Sequence, residues 1–105
     1  MMDMPAVVSV PLRMDADGTI RVGSTRVILD LVIDAYRQGA TAEAIVERYP
    51  SLLLADVYLV LGYYMQNRAK IDTYLQKREA EAEEIRQRVE ARFPPEGLRE
   101  RLLHQ

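Results

Sequence analysis

The sequence predicts a mainly α fold: a small N-terminal β element, three packed helices and a long C-terminal helix. Three observations predict it. Apolar residues recur at helical spacing between Ile28 and Tyr64. A turn signal, Asp15-Ala16-Asp17-Gly18, lies between two short β-rich runs. From Arg68 to Arg92 the chain is dense in charged residues and strong helix formers.

The β element comes first. Val7 to Arg13 alternates Val8, Val10 and Leu12 with other residues, and Pro11 interrupts it. Proline has no N–H to give a ladder, so this run is expected as an edge strand or an extended arm. Thr19 to Val22 supplies a second short strand, and the two form a hairpin around the turn. A lone hairpin is marginal in water and must lean on helices or on another chain.

After Gly23-Ser24-Thr25, the positions Ile28, Leu31, Val32, Ala35 and Tyr36 mark the first helix, which Gly39 stops. Backbone donors at Gly23 to Thr25 offer a weak anion site. Arg26 stands at the strand-to-helix junction, where a structural role against carbonyls or Asp30 is the simpler reading. Thr41 caps the second helix, whose stripe is Ala42, Ile45, Val46 and Tyr49, and Pro50 ends it. The third helix starts near Ala55 or Asp56 and turns Val57, Val60, Leu61 and Tyr64 inward. Gly62 inside it calls for a close helix–helix approach or a local kink.

The fourth helix carries Ile71, Leu75, Ala82, Ile85 and Val89 as an imperfect heptad, broken by Arg78. Phe93-Pro94-Pro95 ends it, and Glu96 to Leu103 forms a last short helix. The domain organisation is therefore residues 1–67, β arm plus tri-helical unit, and residues 68–105, charged helical tail.

Composition excludes several functions. The chain has 105 residues, no cysteine and one histidine, His104. Thiol nucleophiles, disulfides, histidine triads and multi-histidine metal clusters are out. Asp30 and Asp34 lie four apart, but spacing places no third ligand beside them, so they read as a solvated face. No enzyme and no cofactor is expected. The start, Met1-Met2-Asp3-Met4-Pro5, lacks a basic segment and an apolar core, so no signal peptide is expected. The longest strongly apolar stretch, Leu52 to Met65, contains Asp56 and falls short of the ~20 residues of a bilayer span. A cytoplasmic protein with no membrane contact follows.

Charge shapes the binding expectations. With 14 basic and 16 acidic residues, the net charge is −2. The second and third helices have helix-turn-helix proportions, yet no Lys or Arg lies between Tyr49 and Asn67. Phosphate binding needs cations. Any DNA contact then falls to Arg26, Arg37, Arg48, Arg68 and Lys70, which lie outside that bare stretch. The third helix is also apolar beyond its inner face, where Leu53, Leu54, Tyr58, Leu59, Tyr63 and Met65 remain. A helix apolar on all sides needs cover from more than one side. The C-terminal helix or a second subunit supplies it, and in so small a chain a homodimer is the expected answer. The dimer or partner interface is then Val8, Val10 and Leu12 on the arm with Leu53, Leu54, Tyr58, Leu59 and Tyr63 on the helix.

The string Arg21-Val22-Gly23-Ser24-Thr25-Arg26-Val27-Ile28-Leu29 resembles the glycine–threonine–arginine–aliphatic signature of the bacterial family catalogued as domain of unknown function 433. The likeness continues through Gly39-Ala40-Thr41-Ala42-Glu43-Ala44-Ile45, Tyr49-Pro50-Ser51-Leu52 and Ala55-Asp56-Val57-Tyr58 to Gly62-Tyr63-Tyr64. Ser24 adds a residue to the compact signature, and Leu54 stands where many members carry a Ser or Thr cap. The resemblance implies a homeodomain-like helical fold behind a β arm. It also implies an antitoxin role, in which the protein represses its own operon and masks a PIN-like nuclease toxin. The alternative is a dimeric protein-interaction domain with no nucleic-acid role.

Overall fold

The computed structural model describes residues 8–92. Its elements run β1 (Leu12–Met14), β2 (Ile20–Val22), α1 (Leu29–Arg37), α2 (Ala42–Arg48), α3 (Leu54–Gln66) and α4 (Arg68–Arg92). The fold is mainly helical, with an N-terminal antiparallel hairpin and a long C-terminal helix. The expected short helix over 96–103, and its Phe93-Pro94-Pro95 boundary, lie outside the described residues. The chain divides into two compact units, Met1–Arg68 and Ala69–Gln105.

In the first unit the hairpin is shorter than the alternation suggests. β1 begins only at Leu12, and its register sets Leu12 opposite Val22, Arg13 opposite Arg21 and Met14 opposite Ile20. The reason is local. The Leu12 N–H turns back to the Val10 carbonyl at 2.8 Å, a three-residue turn that ends extension just before Pro11. The Pro11 carbonyl still accepts from the Gly23 N–H at 2.7 Å. The reversal is closed by the Gly18 N–H to the Asp15 carbonyl, at 3.0 Å, with Gly18 at φ +86°. Asp17 accepts from the Thr19 N–H at 3.1 Å, and that bond holds its carboxyl below the usual carboxylate range.

α1 ends where glycine allows it. Gly39, at φ +95°, donates to the Tyr36 carbonyl, and Ala40 donates to Ala35, the paired bonds of a Schellman stop. The face of α1 differs from the expected one. Leu29, Val32, Ile33 and Ala35 are buried, while Leu31 is exposed and Ile28 and Tyr36 are half-buried. Val32 and Ala35 belong to both faces, so exchanging Ile28 and Leu31 for Leu29 and Ile33 turns the stripe by less than one residue step of about 100°. α2 follows its signals: the Thr41 hydroxyl accepts from the Ala44 N–H at 3.1 Å, and Ala42 and Ile45 are buried.

α3 buries Val57, Val60, Leu61 and Tyr64, the four inward positions the spacing predicts. Its N-cap is Leu53 rather than Leu54, and no side chain caps it. Gly62 sits in mid-helix at a cost of about 1 kcal/mol relative to alanine. A side chain there would meet nothing within 4 Å, and α3 runs through it unbroken. Among the described residues, neither a close approach nor a break accounts for this glycine.

In the second unit, α4 buries Ile71 and Leu75, whereas Ala82, Ile85 and Val89 are exposed. Burial along the heptad ends where Arg78 enters it. The Arg78 guanidinium instead lies over the Tyr74 ring, 5.7 Å from its centroid. Further along, Glu83 pairs with Arg86 and Glu84 with Arg88, one helical turn apart.

Candidate functional site

Two features of the first unit carry the functional question: the cations around the strand-to-helix turn and the outer face of α3. The turn is built by arginines that the sequence did not single out. Arg13 and Arg21 face each other across the hairpin, a like-charge pairing that costs stability unless acceptors intervene. Asp15 intervenes, taking the Arg13 Nη1–H at 3.1 Å and the Arg21 Nε–H. The remaining donors reach into the turn. Arg13 donates to the Gly23 carbonyl at 2.9 Å and the Thr25 carbonyl at 2.7 Å, and Arg21 donates to the Arg26 carbonyl at 2.7 Å. Their signal was the cross-strand pair itself, flanking Asp15 and Asp17.

This corrects the expected role of Arg26. Its backbone carbonyl is gripped, but its side chain is exposed and pairs with no other described residue. At the anion site expected from Gly23 to Thr25, two of the three backbone donors are already spent. The Gly23 N–H goes to Pro11 and the Thr25 N–H to the Val22 carbonyl, at 3.2 Å, while the Thr25 hydroxyl takes the Val27 N–H. Gly23, at φ +58°, is required twice over: a Cβ there would lie 3.2 Å from Asp56 Oδ2, at the start of α3.

Of the five candidate DNA contacts, the structure brings two together. The Arg37 guanidinium lies 5.9 Å from the Tyr64 ring centroid and donates to its hydroxyl at 3.3 Å. The Arg68 guanidinium lies 5.5 Å from the same centroid. Tyr36 meets Tyr64 edge-on at 6.0 Å. Both cations thus brace a buried aromatic by cation–π attraction, though both are solvent-exposed. Arg48, the last residue of α2, is exposed and pairs with no other described residue. Lys70 is exposed on α4, in the other unit.

The outer face of α3 is apolar and open. Leu53 is 66% exposed, Leu54 41%, Tyr58 54%, Leu59 39%, Tyr63 37% and Met65 55%. The Tyr58 hydroxyl donates to the Glu43 carboxylate on α2, which pulls the Glu43 carboxyl down and pushes the Tyr58 phenol up. Of the arm residues expected beside this face, Val8 is exposed, while Val10 and Leu12 are half-buried on their own hairpin.

Among the described residues, no three His, Cys, Asp or Glu side chains lie together as a metal site, and no helix is long and apolar enough to cross a membrane. Asp30 is half-buried and Asp34 exposed on α1.

No curated protein and no solved structure matches the chain. Residues 16–64, which run from the hairpin turn to Tyr64 on α3, match a family model described as "Protein of unknown function (DUF433)", and over that segment the chain belongs to that family.

Proposed function

We propose that this chain is a non-enzymatic protein-binding module of the antitoxin kind, acting in the cytoplasm, whose α3 presents its outer face to protein rather than to DNA. One observation carries the reading. The helix that stands second in the α2–α3 pair, where a DNA reader places its cations, exposes leucines, tyrosines and a methionine and holds no Lys or Arg. Contiguous exposed apolar surface of a few hundred Å² marks an interaction site. The antitoxin assignment itself comes from the sequence resemblance, and with it a PIN-like nuclease as the partner.

DNA binding is secondary in this reading. It rests on Arg26, Arg37, Arg48, Arg68 and Lys70, and the salt slope of log K against log salt is no steeper than about −5. Engagement of Arg37 and Arg68 with Tyr64 favours the second reading, a protein-interaction domain with no nucleic-acid role.

The test pairs two assays. The purified protein is titrated against a PIN-like nuclease encoded beside its gene, and against its own upstream DNA and a scrambled duplex at low and near-physiological salt. Inhibition of the nuclease, with DNA binding that is weak and indifferent to sequence, is the expected result. Sequence-selective DNA binding in near-physiological salt that is abolished by Leu59→Ala would put α3 in the groove and overturn the proposal.

A further inference from the structure

We infer that the occupant of the α3 outer face is a second copy of this chain, in a two-fold dimer that closes around Gly62. The inference rests on the proposed reading of that face as a protein-docking surface, and it names the partner.

The geometry of the face is self-complementary. Gly62 is exposed, and open space lies where its side chain would be. On a helix its surface neighbours are the residues three and four positions away: Tyr58, Leu59, Met65 and Gln66. They surround a patch of bare backbone, a gap the width of one missing side chain where a Cβ would meet no described atom within 4 Å. Leu54 and Tyr63 widen the apolar ground around it, and both are exposed. One helix therefore offers both a hole and the large side chains that fill such a hole. A two-fold crossing at Gly62 sets the large residues of each chain into the hole of the other, the isologous arrangement in which one patch serves both sides. A glycine with no close neighbour among the described residues gains a use at this crossing, because helices approach closest where a side chain is missing.

Charge and area agree. Asp56 is the sole charged residue of α3, and its carboxylate lies against the Gly23 turn. The carboxylate beside the face, Glu43, is engaged by the Tyr58 hydroxyl, so two copies meet over ground to which α3 itself brings no charge. The exposed portions of Leu54, Tyr58, Leu59, Tyr63 and Met65 amount to roughly 450 Å² per chain. Two-fold symmetry doubles that to about 900 Å² of apolar surface, and Ala55, Gly62 and Gln66, exposed between them, carry the total toward the ~1,000 Å² that a specific interface needs. The Tyr58–Glu43 hydrogen bond holds one of the large rings before the partner arrives.

The experiment is light scattering with sedimentation equilibrium on the full chain over a hundredfold concentration range, for the wild type and three variants. Leu59→Glu puts a charge into the face, Gly62→Leu fills the hole, and Leu31→Lys changes an exposed leucine of α1 away from the face. Circular dichroism checks that each variant is helical. The wild type and Leu31→Lys should scatter with about twice the 12.0 kDa chain mass at micromolar concentration. Leu59→Glu and Gly62→Leu should weaken the dimer at least tenfold. A wild type that stays monomeric throughout overturns the inference, and so does a dimer indifferent to both face variants. A monomer that still inhibits the nuclease, and loses that inhibition with Leu59→Glu, overturns the second copy as occupant while leaving the protein-docking reading intact. Failure of nuclease inhibition by an α3-closed dimer would strike the antitoxin reading alone.

Discussion

Tyr63 and Tyr64 are neighbours on α3, and they sit in opposite environments. Tyr64 is 1% exposed, edge-on to Tyr36 and attended by Arg37 and Arg68. Tyr63 is 37% exposed on the face that carries Tyr58, Leu59 and Met65. Both faces of the helix are apolar, so hydrophobicity alone does not separate core from docking surface. What separates them is the cover that the rest of the unit supplies. α1 and α2 together bury one side of α3 and leave the other as apolar area still in water.

The largest expected effect comes from breaking the covered side. Tyr64→Ala should destabilise the fold by about 3–5 kcal/mol, since it leaves a cavity and releases two cations from their ring. Tyr63→Ala, measured by urea denaturation at submicromolar concentration, should change stability by about 0.5 kcal/mol or less. Equal losses from the two would erase the distinction between the faces.

Next comes the seat of α3. Gly23→Ala should cost about 1–2 kcal/mol, because an L side chain at φ +58° is strained and its Cβ crowds Asp56 at the first turn of α3. Thermal denaturation monitored by circular dichroism reads it. Gly62→Ala should act in the opposite sense on the isolated chain and stabilise it by about 1 kcal/mol, since nothing within 4 Å opposes a methyl group. The same substitution should loosen self-association. A variant that gains stability and loses dimer would sharpen the contrast between the two faces in one molecule.

The inner side of α3 was legible in the sequence because burial on one face imposes a 3.6-residue period, and Val57, Val60, Leu61 and Tyr64 obey it. The α1 face was less so. Leu29, Leu31, Val32 and Ile33 are nearly contiguous, and a run of apolar residues leaves the phase of the helix open. The hairpin was legible from Asp15 to Gly18, but its extent was not, because Val10 and Leu12 alternate like a strand while the backbone turns between them. Arg13 and Arg21 escaped notice because, beyond Asp15, the groups they hold are backbone carbonyls of the following turn, which no spacing rule encodes. The outer face of α3 was visible as an apolar surplus, and its openness needed the fold.

The smallest effect is a pH signature across the α2–α3 contact. Glu43 accepts from Tyr58, so its carboxyl is held below its ordinary value. That contribution is complete above the ordinary carboxylate value and fades as pH falls through the lowered one. The Tyr58 phenol is pushed above its ordinary value by the same bond. Its contribution holds below that ordinary value and fades as pH rises through the raised one. Tyr58→Phe should let the Glu43 carboxyl titrate higher, read by NMR, and should flatten the stability profile at both ends. An unmoved Glu43 titration would remove the contact that holds Tyr58 in place.

The central claim, that the α3 outer face is a surface covered by protein, has an internal reporter. Met65 lies on that face and Met14 on the hairpin, 55% and 66% exposed in the single chain. A brief peroxide pulse oxidises methionines according to their exposure, and peptide mass spectrometry reads each site. At high micromolar protein Met65 should oxidise several-fold more slowly than Met14. The two rates should converge on dilution, and added DNA should not restore the protection. Comparable rates for the two methionines at every concentration, or protection of Met65 by DNA in dilute protein, would contradict the account.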